Sequence, residues 1–170
     1  MAGNYICGGD TYTCGVTIRN NISLPVKLNS LPDIIEVEGE KFLVKDEFHV
    51  SLLCMGKHAE KHQIEVNFQE EIINDFCEFV KDKPVALSAI TDEWRLVLED
   101  EKKSLVVMCE VNNLKDFIDL INEKYQLNFA QQPTHVTVYT SLLKKGIYLI
   151  DQDDLDTKTK IISAPVDLTL

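Results

Sequence analysis

Two stretches of this chain repeat their apolar residues at helical spacing, and almost everything around them alternates like strand. That contrast restricts the fold more than any other feature of the sequence. Phe68, Ile72, Ile73, Phe76, Phe79 and Val80 fall at i, i+4, i+5, i+8, i+11 and i+12, which is one face of an α-helix. Asn67 followed by Glu70 resembles a capping box, and Lys83-Pro84 supplies the stop. Leu114, Phe117, Ile118, Ile121 and Tyr125 repeat in the same way behind Asn113, a candidate N-cap.

The remainder reads as strand. Residues 13–29 hold two short β-like runs, the second broken by Pro25. Residues 34–38 and 41–45 form a hairpin pattern around Glu38-Gly39-Glu40, and a strong strand runs from Phe48 to Met55. Residues 85–90, 94–98 and 104–111 follow, then Thr134 to Thr140, Gly146 to Ile150 and Lys160 to Val166. The pattern predicts a single α+β domain over residues 1–170, with largely antiparallel strand pairing.

Composition narrows the function classes. With 45% hydrophobic and 26% charged residues the chain has the balance of an ordinary globule. No apolar run approaches the roughly 18 residues a membrane span needs. The N-terminal MAGNYICGGDTYTCG lacks the basic patch and hydrophobic stretch of a secretion signal, so the expected location is cytoplasmic. A net charge of -11 repels a long duplex, whose binding rests on Lys and Arg neutralising phosphates, but does not exclude a short ligand at one local site. The five cysteines include no C-x-x-C pair. Cys54, Cys77 and Cys109 lie in apolar segments as small core residues, whereas Cys7 and Cys14 could pair if oxidised.

The chemistry-bearing feature is a match between two strands. Phe48-His49-Val50-Ser51-Leu52 precedes the first long helix, and Thr134-His135-Val136-Thr137-Val138 follows the second. Side chains alternate along a strand, so His49 and Ser51 share one face opposite Val50, Leu52 and Cys54. His135, Thr137 and Tyr139 likewise share a face. Each strand then offers an imidazole and a hydroxyl about 7 Å apart. Ser and Thr occupy 17 of 170 positions, so two such hits among four histidines arise by chance roughly one time in twenty, before strand context is required.

The ordered pair FHVSL and THVTV, 86 residues apart, resembles the two motifs of the 2H phosphoesterase superfamily. The likeness covers roughly residues 41 to 150. It implies two pseudo-symmetric lobes of mainly antiparallel sheet with helices packed outside, whose central strands bring both histidines into one cleft. It also implies phosphodiesterase activity, a hydrolase reaction on 2′,3′-cyclic phosphate, 2′-5′ or cyclic oligonucleotide bonds. One departure stands out: where the family has a helix before the first motif, residues 16–47 read as strands and a hairpin.

Such chemistry needs a base to deprotonate the attacking group and an acid to protonate the leaving oxygen. Histidine serves either role near neutrality, with an ordinary pKa of about 6.5. The resemblance makes His49 and His135 the catalytic pair, in either assignment, and Ser51 and Thr137 the donors to the non-bridging phosphate oxygens. No metal or other cofactor is expected. Tyr139, on the same predicted face, is a candidate for stacking on a base. Lys57, Lys144 and Lys145 follow the motif strands and could attract phosphate, although their preferred reading is as solvated loop residues, and Trp94 and Arg95 are further cleft candidates by residue type alone.

Other signals carry less. His58 and His62 have a zinc-compatible spacing in GKHAEKH, but no further ligand set accompanies them. Asp151 to Asp156 departs from a calcium loop at the turn glycine and the closing Glu, and reads as a polar loop. Gly8-Gly9 and Gly15 are not followed by G-K-[ST]. A cysteine nucleophile paired with His49 fails on alternation, which sends Cys54 to the opposite face. The rival to an enzyme is a binding module that holds a nucleotide or RNA end in the same cleft. The expected partner is a nucleotide or oligonucleotide, with no long duplex and no membrane, and the expected state is a monomer.

Overall fold

The computed structural model describes residues 5–7, 10–12, 21–64, 68–141 and 146–168. These form an α+β fold around one mainly antiparallel sheet. Its strands are β1 (Tyr5–Cys7), β2 (Asp10–Tyr12), β3 (Asn21–Val26), β4 (Ile34–Val37), β5 (Glu40–Val44), β6 (Phe48–Cys54), β7 (Ala86–Glu99), β8 (Lys102–Asn112), β9 (His135–Thr140) and β10 (Thr159–Ile162). The order across the sheet is β10-β7-β8-β9-β6-β3-β1-β2, and the β4–β5 hairpin joins the far end of β9 through Leu43↔Thr140 and Val44↔Tyr139. Strands β6 and β9, which carry the two histidine motifs, are therefore neighbours at the centre.

The turns have local causes. Glu38 and Gly39, with φ of 54° and 80°, form the two-residue link of the β4–β5 hairpin, a geometry whose twist matches the flanking strands. Pro25 does not break β3: it pairs with His49 of β6, beyond the Ile6–Cys7 stretch where β1 bonds to the other edge of β3. Strand β7 is continuous rather than two pieces. Its register slips against β8 near Ser88 and again between Ile90 and Trp94. There the hydroxyls of Ser88 and Thr91 donate to the carbonyls of Glu110 (3.1 Å) and Met108 (2.9 Å), bridging the irregular ladder.

The two predicted helices are α2 (Gln69–Asp82) and α3 (Leu114–Tyr125). They pack on one another through an edge-on Phe76–Phe117 contact at 5.0 Å and a stacked Phe68–Tyr125 contact at 4.8 Å. Ile72, Ile73, Phe76, Phe117, Ile118 and Ile121 share one core with Val50, Leu52, Val107, Val136 and Val138 of the central strands. Burying each such side chain stabilises the fold by roughly 1.5–3 kcal/mol, and truncating Phe76 or Phe117 to Ala would cost about 3–5 kcal/mol. The helices thus cover one sheet face, and the alternate residues of β6 and β9 point the other way.

Several expectations change. The N-cap of α2 is Phe68, without a side-chain cap, and Asn67 lies outside the described residues. Asn113 is the N-cap of α3, but its amide donates to the Pro84 carbonyl at 2.8 Å instead of capping. An unexpected helix, α1 (Met55–His62), follows β6 directly. Residues 146–150 are not strand. Ile147 and Leu149 are buried against Val97, Val106 and Leu155 on the face away from α2 and α3, so their alternation reflects packing across the sheet, not pairing within it. The acidic run is not a loop but α4 (Gln152–Lys158), capped by Asp151, whose carboxylate accepts from the Asp154 N–H at 3.0 Å. No described helix is long and apolar enough to cross a membrane. Cys14, the side chain of Cys7 and Gly8, Gly9 and Gly15 lie outside the described residues.

Candidate active site

Val50 of β6 pairs with Val136 of β9 in antiparallel register. One step either side along that register sets His49 opposite Thr137 and Ser51 opposite His135. The two imidazoles lie on a diagonal of the sheet, where backbone positions are roughly 7–8 Å apart. All four side chains line one cavity of about 330 Å³ on the face away from α2 and α3. Asn21 and Ser23 of β3, the Lys45–Glu47 link, Gln132 and the segment Gly146–Leu149 complete its walls.

Both motif strands carry a β-bulge at the same place. Against β3, Ser51 and Leu53 pair with successive residues, leaving Leu52 as the extra residue. Against β8, Thr137 and Tyr139 pair with Val106 and Leu105, leaving Val138 as the extra residue. A bulge reverses the inside–outside alternation beyond it. Its consequence overturns two expectations. Tyr139 is turned into the core, fully buried, with its hydroxyl donating to the Pro32 carbonyl at 3.1 Å, so no ring face is left for a base. Cys54 is turned out of the core side and lines the cavity with His49 and Ser51.

The histidines are poised neutral. Burial pushes His49 down to about 4, with help from the charge of Lys45 and from His135. Burial also lowers His135, partly opposed by a hydrogen bond with the Pro133 carbonyl. That bond, 2.9 Å from Nδ1, requires Nδ1–H as donor and leaves Nε2 with its lone pair in the neutral ring. Lys45 is itself half-buried and lowered by desolvation, opposed by Glu47. It makes no ion pair among the described residues, unlike Lys57, Lys61 or Lys102. Cys54 is no nucleophile in this state: burial raises its thiol to about 11. Gln132 holds it, accepting from the Cys54 N–H through Oε1 and donating to Sγ at 3.6 Å.

The other candidates fall elsewhere. Lys57 is exposed and paired with Glu60 at 3.0 Å, outside the cavity lining, and Lys144 and Lys145 lie outside the described residues. Trp94 is core, and Arg95 is bound to Glu93 and Thr159. His58 is fully buried on α1 while His62 faces Asp151 at 3.5 Å, so the pair does not converge on a cation. Asp151, Asp153 and Asp154 bring carboxylate oxygens within 4.8 Å of one another, but the Lys61 ammonium already sits among them at 2.8, 3.4 and 3.0 Å. Among the cavity residues that sequence reasoning missed are Lys45, Gln132, Cys54 and Tyr148. Only Lys45 left a trace, as a cation four residues before His49.

Comparison with known proteins finds no matching family model, no matching curated protein and no matching solved structure. The functional reading therefore rests on the geometry of this chain.

Proposed function

We propose that this chain is a metal-independent phosphodiesterase that cleaves 2′,3′-cyclic phosphate, 2′-5′ or cyclic oligonucleotide bonds by two-histidine acid–base catalysis. The observation that carries the reading is the convergence of His49, Ser51, His135 and Thr137 on one cavity, each imidazole diagonal to the other and across from a hydroxyl. The matched bulges after Ser51 and Thr137 support treating the sheet as two like halves about the Val50–Val136 pair, as the resemblance to the 2H phosphoesterases implies.

In the reaction one imidazole takes the proton of the attacking water or ribose hydroxyl as its oxygen bonds to phosphorus. The other, protonated, gives its proton to the oxygen whose bond to phosphorus breaks. The net proton count is unchanged. Ser51 and Thr137 donate to the non-bridging oxygens, and Lys45 balances charge that grows there. A phosphate anion between the rings also offsets the desolvation that holds them neutral, so substrate itself raises their pKa and charges the acid. Two titratable groups and a cation supply every proton and charge the step needs. The buried thiols fit a reducing, cytoplasmic setting, and the acidic exterior fits a small or terminal substrate, not a long duplex.

The test is turnover in EDTA across 2′,3′-cyclic nucleotides, 2′-5′ and 3′-5′ dinucleotides, and cyclic di- and trinucleotides. Hydrolysis of at least one class is expected. Binding of a panel member without turnover by any preparation would replace the enzyme with a nucleotide-binding module.

A further inference from the structure

Tyr148 is part of two hollows at once. It lines the His49/His135 cavity and also a second hollow of about 390 Å³ beside it. Each falls in the size range of a small-molecule site, and Tyr148 borders both. The flanking Ile147 and Leu149 are buried under the sheet, while Tyr148 itself is 41% exposed, so a fixed backbone presents a ring to solvent. The Lys57 ammonium stands 5.7 Å from that ring's centre.

The charge around this second hollow runs against the rest of the molecule. In a chain of net charge -11, its wall holds four lysines, Lys57, Lys61, Lys102 and Lys158, against three carboxylates. Lys61 is committed to Asp151 and Asp154. The others are held less firmly. Lys57 and Glu60 are 47% and 72% exposed, and a surface pair of that kind restrains its partners weakly. Lys102 has only the Glu99 carboxylate among the described residues, at 3.1 Å, and shares it with Lys158, which also reaches Asp154 at 3.2 Å.

We propose that Tyr148 and Lys57 form a second nucleotide subsite: the base of the second nucleotide, one removed from the scissile phosphate, stacks on Tyr148, and the phosphate that links the two nucleotides is met by Lys57 and Lys102. The preferred substrate is then an oligonucleotide of at least two units, not a cyclic mononucleotide. This rests on the phosphodiesterase reading and selects within it. Stacking on an aromatic ring is tolerant of base identity, so the subsite reads length more than sequence.

The experiment compares kcat/KM for 2′,3′-cyclic AMP and for a diadenosine dinucleotide ending in a 2′,3′-cyclic phosphate. It uses the wild type, Tyr148→Phe, Tyr148→Ala and Lys57→Gln in EDTA, with His135→Ala as the inert control. The wild type should prefer the dinucleotide. Tyr148→Ala should lower the dinucleotide value roughly 10- to 100-fold more than the mononucleotide value, and Tyr148→Phe should retain it. Lys57→Gln should weaken only the dinucleotide and flatten its salt dependence. An equal effect of Tyr148→Ala on both substrates overturns the subsite while leaving the phosphodiesterase intact. If the wild type turns over neither, titration calorimetry with the same two nucleotides decides: dinucleotide affinity lost in Tyr148→Ala and weakened in Lys57→Gln, with mononucleotide affinity kept, upholds the subsite, any other pattern of losses overturns it, and no binding by the wild type overturns both readings.

Discussion

Leu52 and Val138 occupy equivalent places in the two central strands: each is the extra residue of a β-bulge one position beyond the hydroxyl of its His-x-Ser/Thr motif. Both are fully buried beneath α2 and α3. Each bulge leaves its histidine and hydroxyl aimed at the cavity and reverses the alternation afterwards. The two motifs thus share a backbone irregularity as well as residue types.

That relationship makes Tyr139 a core residue, and Tyr139→Phe separates the two possible roles. Losing the bond to the Pro32 carbonyl should cost about 1 kcal/mol of stability by denaturant unfolding, with nucleotide turnover unchanged. A large fall in turnover at unchanged stability would instead put the ring in contact with substrate.

Ser51 and Thr137 should behave as phosphate donors. Replacing either by Ala removes one hydrogen bond that strengthens in the transition state, which should lower kcat about 10²- to 10³-fold, whereas Thr137→Ser should retain most of it. Equal rates for Thr137→Ala and Thr137→Ser would remove the hydroxyl from the mechanism.

Lys45 should set the pH at which the cavity works. The profile of kcat/KM reports the unliganded enzyme, so its two limbs should lie below the 6.5 of ordinary imidazole, in the direction of both His49 and His135. Lys45→Met removes a positive charge that disfavours imidazolium, so the limbs should move to higher pH. KM should rise about tenfold or more with the loss of a charged phosphate contact. Limbs that stay in place would show that Lys45 does not face the pair.

His58 should make the fold acid-sensitive. The ring is buried against Phe129 at 4.9 Å, and neither nitrogen has a hydrogen-bond partner of normal geometry among the described residues. Burial, then His62, lowers it to about 4, opposed by Asp151, Gln132 and Asp154. Between pH 6.5 and 4 the unfolded chain takes up a proton that the folded chain refuses, so stability is full above 6.5, falls through that window and levels below it. The loss from this one group is roughly 3 kcal/mol. His58→Leu should be near neutral at pH 7 and should raise Tm by about 5–10 °C relative to wild type at pH 4.5. An unchanged pH dependence would place the acid-sensitive group elsewhere.

How much of this was legible follows from what each pattern reports. Helices α2 and α3 were readable because long amphipathic segments with Phe and Ile at helical spacing have no other way to bury one face. The β4–β5 turn was readable because Glu38-Gly39 supplies the positive φ it needs. The pairing of His49 with Ser51 and of His135 with Thr137 was readable because only one intervening residue separates them. The fates of Cys54 and Tyr139 were not, because a bulge leaves no mark in composition yet inverts every side chain beyond it. Helix α1 was hidden because MGKHAEKH buries only Met55 and His58, too few for a periodic signal. Lys45 and Tyr148 reach the cavity through segments that join elements, where no periodicity says which way a side chain points.

The central claim is that His49 and His135 act as one acid–base unit. The most direct measurement is kcat for the best panel substrate with His49→Ala, His135→Ala and the double variant, each checked for native unfolding. Each single variant should lose about 10²- to 10⁴-fold, and the double variant should lose little more than the worse single one, because two groups that move one proton relay fail together. Retention of most of the activity by either single variant, or losses that multiply fully in the double variant, would contradict a shared mechanism.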